Sequence, residues 1–76
     1  MDVKVYSTPN CGWCNVLKKY LNEKHVRYEE IDVSRDRKAA MEMILKSGQR
    51  GVPVMDYKGY IIVGYDKDTI DRLISA

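Results

Sequence analysis

The chain has 76 residues and a formal charge of +2, with 13 lysines and arginines set against 11 acidic residues. This length predicts one small domain, residues 1–76, and because the charges are interspersed rather than clustered we expect no nucleic-acid partner. No apolar run approaches the length of a membrane span and the N-terminus lacks a signal-peptide pattern, so we expect a cytoplasmic protein with no membrane association.

The first predicted element is a short strand, Val3 to Tyr6, in which apolar and polar residues alternate. A turn at Pro9-Asn10 follows it, and a helical pattern runs from Asn15 to Lys24. Between the turn and the helix lie the only two cysteines of the chain, Cys11 and Cys14. If Cys11 lies at the helix start, Cys14 shares its face one turn further along, close enough to form a disulfide.

A cysteine at the beginning of a helix has a predictable reactivity. Unpaired backbone N–H groups and the positive end of the helix dipole favour the thiolate over the thiol. The thiolate is the attacking species in disulfide exchange. The sequence therefore predicts a dithiol oxidoreductase with Cys11 and Cys14 as its catalytic residues.

Two other uses of the cysteine pair remain open. A structural zinc ion usually takes four protein ligands, and this chain offers two cysteines and a single histidine, His25. Zinc or an iron–sulfur cluster held by Cys11 and Cys14 would therefore require a dimer or recruited carboxylates. A purely structural disulfide is the second alternative, but a bridge across two residues closes almost no loop and would add little stability.

The next predicted elements are a strand from Val26 to Val33 and a helix from Arg35 to Ser47. Ser34 is the predicted N-cap of this helix, and Gly48 suits the left-handed residue beyond its end. The helix is predicted to present an apolar side formed by Ala40, Met41, Met43, Ile44 and Leu45.

Two further strands, Val52 to Tyr57 and Tyr60 to Val63, are predicted to form a hairpin around a tight turn at Lys58-Gly59. Pro53 is unusual so early in a strand, because proline has no N–H to donate to a sheet ladder. Pro53 therefore lies either at a sheet edge or after a cis peptide bond.

The last helix follows Gly64, with Asp66 or Asp68 as its cap and Ile70, Leu73 and Ile74 as its buried stripe. The complete order is strand-helix-strand-helix-strand-strand-helix (βαβαββα), which combines a right-handed strand-helix-strand unit with a hairpin. Helices must cover both faces of such a sheet. The predicted fold is α/β, a four-stranded mixed sheet flanked by three helices.

Three motifs in this order resemble the glutaredoxin branch of the thioredoxin-like fold: Cys11-Gly12-Trp13-Cys14, Val52-Pro53 and Gly64. The resemblance spans essentially the whole chain. It implies a cis peptide bond at Val52-Pro53 next to the cysteine pair, with the Val52 backbone free to pair with an incoming peptide or glutathione. It also implies that Cys11 is the nucleophile and that Cys14 resolves the mixed disulfide.

The resemblance also bears on the electron donor. Glutathione-dependent members usually carry a lysine where this chain has Thr8, so the cation that would pair with a glutathione carboxylate is absent. They usually carry a second glycine where this chain has Tyr65, whose side chain would crowd the γ-glutamyl end of glutathione. The segment 64–73 is instead similar to that of the glutaredoxin-like redoxins (NrdH-type), which reduce ribonucleotide reductase and accept electrons from thioredoxin reductase. Gly12-Trp13 matches neither pattern, so both thioredoxin reductase and glutathione remain candidate donors.

Seven residues are candidates for substrate binding: Trp13, Arg50, Val52, Pro53, Gly64, Tyr65 and Asp66. Trp13 would be either a docking surface or a partly packed ring. Arg50 would pair with a glutathione carboxylate or with an acidic partner surface, or it would be a free surface arginine. Asp66 would contact the γ-glutamyl amino group of glutathione, or it would cap the last helix. We expect a monomer that reduces protein disulfides, with no metal and no tightly bound cofactor.

Overall fold

The computed structural model describes residues 2–75, in which helices and strands follow each other in the predicted order. The elements are β1 (Val3–Ser7), α1 (Gly12–Glu23), β2 (Glu29–Asp32), α2 (Arg37–Ser47), β3 (Val54–Tyr57), β4 (Tyr60–Val63) and α3 (Lys67–Ser75). Within this range, no helix combines the length and the apolar character that crossing a membrane requires.

The strands form one mixed sheet in the order β2-β1-β3-β4. β1 pairs in parallel with β2 and antiparallel with β3, with Tyr6 opposite Val54. The β3–β4 hairpin turns at Lys58 and Gly59, whose φ angles of 52° and 98° are those of a tight type I′ turn. The predicted α/β fold and its hairpin are confirmed.

Alternate residues of β1 enter two hydrophobic clusters on opposite faces of the sheet. Val5 belongs to the cluster that α1 and α3 cover, which consists of Val3, Val5, Leu17, Leu21, Met55, Ile62 and Ile70. Tyr6 belongs to the cluster that α2 covers, which consists of Tyr6, Ala39, Met43 and Val54. The sheet therefore holds the cysteine-bearing helix and α3 on one face and α2 on the other.

The second strand is shorter than predicted, because the chain after α1 is used to end that helix. The Val26 N–H donates to the Leu21 carbonyl at 2.9 Å, and His25 has a φ of 58°, which is a common way to close a helix C-terminus. β2 therefore begins at Glu29 rather than at Val26, and it ends one residue before Val33.

Helix α2 starts two residues later than predicted, because Asp36 and not Ser34 is its N-cap. Oδ1 of Asp36 accepts a hydrogen bond from the Ala39 N–H at 3.0 Å. The N–H and the hydroxyl of Ser34 instead both donate to Oδ1 of Asp32, at 2.9 and 2.5 Å. Gly48 has a φ of 75° at the end of the helix, as predicted.

The predicted apolar side of α2 is correct only in part. Met43 is buried and Ile44 packs against the same cluster, but Met41 and Leu45 are 57% and 79% exposed. Ala39 and Met43 lie about one turn apart on the covered face, and at 3.6 residues per turn Met41 and Leu45 fall on the opposite side. The prediction that Met41 and Leu45 share one apolar side with Met43 and Ile44 is therefore wrong.

The third strand begins at Val54 rather than at Val52. The peptide bond between Val52 and Pro53 is cis, as the family resemblance implies. Pro53 has no N–H for the ladder, but its carbonyl accepts a hydrogen bond from the Gly64 N–H at 2.9 Å. This bond ties the beginning of β3 to the residue that follows β4.

Candidate active site

The two cysteines lie where the loop after β1 becomes α1. Cys11 is the N-cap residue, with an extended backbone, and its carbonyl accepts a hydrogen bond from the Asn15 N–H at 3.2 Å. Cys14 lies in the first turn, and the two cysteines form a disulfide with their Cα atoms 5.2 Å apart. The helix begins at Gly12, three residues earlier than its apolar pattern predicts, and Cys11 lies at its start as expected.

The sulfur of Cys11 accepts a hydrogen bond at the start of α1, where negative charge is stabilised. The Cys14 N–H donates to Sγ of Cys11 at 3.1 Å, and the first turn of α1 contains no acidic residue. Together with the helix dipole, this donor favours a thiolate on Cys11 once the disulfide is reduced. Cys11 is partly exposed, whereas Cys14 is fully buried, so the pair combines one accessible and one shielded sulfur.

A cleft of about 240 Å³ is lined by five of the seven candidate substrate-binding residues, Trp13, Val52, Pro53, Gly64 and Tyr65. Trp13 lies between the cysteines in the chain, so the cleft adjoins the redox pair. No hydrogen bond joins the backbone of Val52 to another of residues 2–75. An extended peptide in the cleft would therefore find unpaired main-chain groups next to the first residue of β3.

Two residues that line the cleft, Trp13 and Tyr65, continue into Tyr20 behind them, and these three rings are called the aromatic ladder here. The rings of Trp13 and Tyr65 are stacked, with centroids 6.0 Å apart, and Tyr65 meets Tyr20 edge-on at 5.9 Å. The Tyr20 hydroxyl donates to Asp71 of α3, and this hydrogen bond raises the pKa of Tyr20. Trp13 is 63% exposed, so one face is packed while the other is open to solvent.

The other two candidates, Arg50 and Asp66, are not among the residues that line the cleft. Asp66 accepts hydrogen bonds from the Thr69 N–H at 3.2 Å and the Thr69 hydroxyl at 2.7 Å, as an N-cap of α3 does. These bonds, the hydroxyl's first, lower the pKa of the Asp66 carboxyl. Arg50 is exposed on the segment that precedes the cis peptide bond.

Tyr6 packs in the core on the α2 side of the sheet, away from the helix that carries the thiols. Its hydroxyl donates to Glu42 and accepts a hydrogen bond from Nζ of Lys46 at 2.9 Å. Lys46 also contacts Oδ2 of Asp56 at 2.7 Å. The hydrogen bonds from Tyr6 and from Lys46 hold the pKa of Glu42 at about 2.

A second polar cluster, Ser7, Glu30 and Lys18, lies on the α1 side and was not predicted. Oε2 of Glu30 accepts hydrogen bonds from the Ser7 hydroxyl at 3.1 Å and from Nζ of Lys18 at 2.6 Å. The available signals were that Ser7 shares a strand face with Val5 and that Lys18 follows Cys14 by four residues. Across residues 2–75, no group of three or more histidine, cysteine or acidic side chains is placed to hold a metal ion.

Comparisons with known proteins agree with this fold. The family described as glutaredoxin matches residues 3–62. An uncharacterized glutaredoxin-like 8.6 kDa protein from the rubredoxin operon of Clostridium pasteurianum is 46% identical over 72 residues, which are 95% of this chain and 96% of that protein. N-acetyl-S-hydroxy-L-cysteine reductase of Bacillus subtilis is 33% identical in a 72-position alignment that covers 87% of this chain and 77% of that protein.

Among solved structures, the glutaredoxin-like protein NrdH-redoxin of Escherichia coli superposes with a TM-score of 0.82 at 27% identity. The match covers 93% of this chain and 92% of that one, and that protein is described as having a thioredoxin-like activity profile. The fold is therefore the predicted thioredoxin-like one.

Proposed function

The chain belongs to the glutaredoxin family, and from this premise we propose that it is a dithiol–disulfide oxidoreductase acting through Cys11 and Cys14. The hydrogen bond from the Cys14 N–H to Sγ of Cys11 is the observation that carries the proposal. It supports a reactive thiolate on the partly exposed Cys11, beside the buried thiol of Cys14 that would resolve the intermediate.

In the proposed reaction, the Cys11 thiolate attacks one sulfur of a target disulfide, and the other target sulfur leaves as a thiolate that takes a proton from water. The thiolate of Cys14 then attacks the Cys11 sulfur, the bond to the target breaks, and the second target thiol is released. Two electrons pass to the target, and the protein is left with the Cys11–Cys14 disulfide. Because both cysteines lie in one helical turn, the second attack is intramolecular and fast.

The proposed targets are protein disulfides, and the cleft supports this choice. The unpaired backbone of Val52 can add an extended target segment by main-chain hydrogen bonds, while the open face of Trp13 offers apolar contact area. By similarity to NrdH-redoxin, ribonucleotide reductase is the proposed physiological target, in the cytoplasm.

Thioredoxin reductase is the proposed electron donor in preference to glutathione. The ring of Tyr65 occupies one wall of the cleft and is held there by Trp13 and Tyr20, so the cleft cannot widen without breaking the aromatic ladder. Thr8 is uncharged, so it provides no cation near the cysteines that could pair with a glutathione carboxylate. Both features favour a protein donor that reaches the partly exposed Cys11 from outside the cleft.

A side-by-side assay tests the proposal: turnover of a protein disulfide is measured with thioredoxin reductase and, separately, with glutathione and its reductase. Faster turnover with thioredoxin reductase, lost in Cys11→Ser, is expected. Turnover with glutathione alone would instead indicate an ordinary dithiol glutaredoxin. A stoichiometric metal that survives mild chelation in the reduced protein, with no turnover from either donor, would indicate a metal-binding module.

Reduction of a small sulfenic acid is a second candidate function. It is favoured by the 33% identity to N-acetyl-S-hydroxy-L-cysteine reductase and by a cleft of about 240 Å³ next to Trp13. The Cys11 thiolate would attack the sulfenic sulfur and displace hydroxide, which takes a proton to become water. The Cys14 thiolate would then attack the Cys11 sulfur, form the Cys11–Cys14 disulfide and release the small thiol. Consumption of N-acetyl-S-hydroxy-cysteine at a rate above that of Cys11→Ser would support it, and equal rates would exclude it.

A further inference from the structure

The aromatic ladder begins beside the cysteine pair and leads along α1 away from it. Trp13 and Tyr20 are separated by about two helical turns, so they lie on one face of α1 and about 10 Å apart along its axis. The ring of Tyr65 contacts both: it stacks on Trp13 with centroids 6.0 Å apart and meets Tyr20 edge-on at 5.9 Å. The three side chains therefore form one continuous path of ring contacts.

The rings of this path can carry single electrons. Indole and phenol side chains lose one electron more readily than any other side chain except a cysteine thiolate, and electrons pass quickly between rings in contact. Trp13 is 63% exposed, so a small oxidising radical in solution can reach its open face. An oxidising equivalent left on Trp13 would lie next to the cysteines, whereas Tyr65 and Tyr20 offer it a way along α1.

Tyr20, at the end of the path, has a proton acceptor at its hydroxyl. The hydroxyl donates to the carboxylate of Asp71, and this hydrogen bond raises the pKa of Tyr20, so the phenol is protonated at neutral pH. The hydrogen bonds from Lys67 and Tyr20 lower the pKa of the Asp71 carboxyl. Oxidation makes a phenol a far stronger acid than any carboxylic acid, so the carboxylate still accepts the proton when Tyr20 loses an electron.

Two lysines make the loss of that proton necessary. Nζ of Lys24 lies 5.6 Å from the centroid of the Tyr20 ring, and Nζ of Lys67 lies 5.4 Å from it. Positive charge at this range disfavours a phenol radical cation but does not disfavour a neutral phenoxyl radical. Tyr20 can therefore hold the oxidising equivalent only when Asp71 takes its proton.

We propose that the aromatic ladder is a radical relay, which moves an oxidising equivalent from Trp13 to Tyr20 and away from the cysteine pair. A small oxidising radical takes one electron from Trp13 and becomes an anion, and the indole N–H proton goes to water. The Trp13 radical takes an electron from Tyr65 and a proton from water, and the Tyr65 phenol releases its proton to water. The Tyr65 radical is then reduced in the same way by Tyr20, whose proton goes to Asp71.

Pulse radiolysis tests the relay. In azide solution saturated with nitrous oxide it generates azidyl radicals, which oxidise tryptophan in preference to tyrosine. The disulfide form is used, so the result does not depend on the reactivity of Cys11. Trp13 is the only tryptophan of the chain, so the absorption band of the tryptophan radical reports on this residue alone. We expect the band to decay in a first-order phase, independent of protein concentration, as the tyrosine radical band grows.

Two tyrosine variants show whether the electron passes through the ladder. Tyr65→Phe keeps a ring at the stacked position but removes the phenol that passes the electron on, so we expect the first-order phase to be lost. Tyr60→Phe is the matched control: Tyr60 is 64% exposed on β4 and lies outside the ladder, so the phase should be unchanged. A phase as fast in Tyr65→Phe as in Tyr60→Phe would overturn the relay, as would the absence of this phase in the unmodified protein.

Rapid freezing and high-field electron paramagnetic resonance identify the final radical. A hydrogen bond to a phenoxyl oxygen lowers its largest g value, and the protonated Asp71 carboxyl would supply this bond to Tyr20. We expect the lowered g value in the unmodified protein and its loss in Tyr20→Phe and Asp71→Ala. Asp68→Ala, which removes the same charge from the first turn of α3, should keep it. An identical spectrum in Tyr20→Phe and in the unmodified protein would overturn Tyr20 as the end of the relay.

Discussion

The ring of Tyr65 stacks on the ring of Trp13, with centroids 6.0 Å apart and an angle of 22° between the planes. The contact joins one of the two residues between the cysteines to the loop that precedes α3. The edge of Tyr65 rests on Tyr20, whose hydroxyl is bound to Asp71, so the stack is anchored to both helices on this face of the sheet. The size of residue 65 therefore sets the width of the cleft next to the redox pair.

Replacing Tyr65 with alanine should make the protein a better substrate for glutathione. The change removes one wall of the cleft and frees Trp13, so the ratio of glutathione-driven to thioredoxin-reductase-driven turnover should rise by about tenfold. The two turnover rates are measured on the same preparation. Tyr60→Ala is the control, because Tyr60 is 64% exposed on β4 and does not line the cleft. An unchanged ratio would show that Tyr65 does not select the donor.

Single cysteine variants should separate the two thiol roles. Cys11→Ser should lose disulfide reduction, because the buried Cys14 thiol cannot reach a target. Cys14→Ser should form a stable mixed disulfide with its target, because the resolving thiol is missing. Mass spectrometry of the non-reduced products measures both. A mixed disulfide formed by Cys11→Ser and not by Cys14→Ser would mean that the roles are reversed.

Features fixed by a few neighbouring residues were predictable from the sequence. The turn at Lys58-Gly59 needs positive φ at both positions, and Cys11 precedes a helix whose first turn it caps with its sulfur. The beginning of β2 was not predictable in this way, because Val26 has the apolar character of a strand residue. Its N–H is nevertheless used by the Leu21 carbonyl at the end of α1. The hydrogen bond that ends α1, rather than the apolar character of Val26, therefore determines the conformation at that position.

Features that depend on the packing of distant elements were missed. Met41 and Leu45 looked like core residues of α2, but the sheet covers only the side that carries Ala39 and Met43. The Ser7–Glu30 contact joins two strands to each other through side chains, and the strand face of Ser7 does not by itself identify Glu30 as its partner. Five of the seven candidate substrate-binding residues line one cleft because motifs far apart in the chain meet at the same end of the sheet.

The hydrogen bonds of Glu42 should stabilise the protein in a pH-dependent way. They lower the pKa of Glu42 from 4.5 to about 2. The stabilisation is therefore complete above about pH 4.5 and is lost as the pH falls through about 2. Glu42→Gln should therefore lower the free energy of unfolding more at neutral pH than at about pH 2, as measured by urea denaturation. The exposed Glu23→Gln change should have little effect at either pH. A deficit in Glu42→Gln that grows in acid would contradict the expected sign.

The difference between buried and exposed leucines can be tested directly. Leu17 is fully buried between α1 and the sheet, so Leu17→Ala should lower the free energy of unfolding by about 2–5 kcal/mol. Leu45→Ala, at a residue that is 79% exposed on α2, should change it by no more than about 0.5 kcal/mol. Equal losses in the two variants would mean that the exposed side of α2 is covered in solution.

The most direct test of the redox site is the titration of Cys11 in the reduced protein, followed as the rate of alkylation against pH. Cys14→Ser isolates the Cys11 thiol and keeps the backbone N–H at residue 14 that lies 3.1 Å from its sulfur. We predict that Cys11 ionises at a lower pH than free cysteine does. A Cys11 thiol that ionises at the same pH as free cysteine, or at a higher one, would contradict the proposed reactivity.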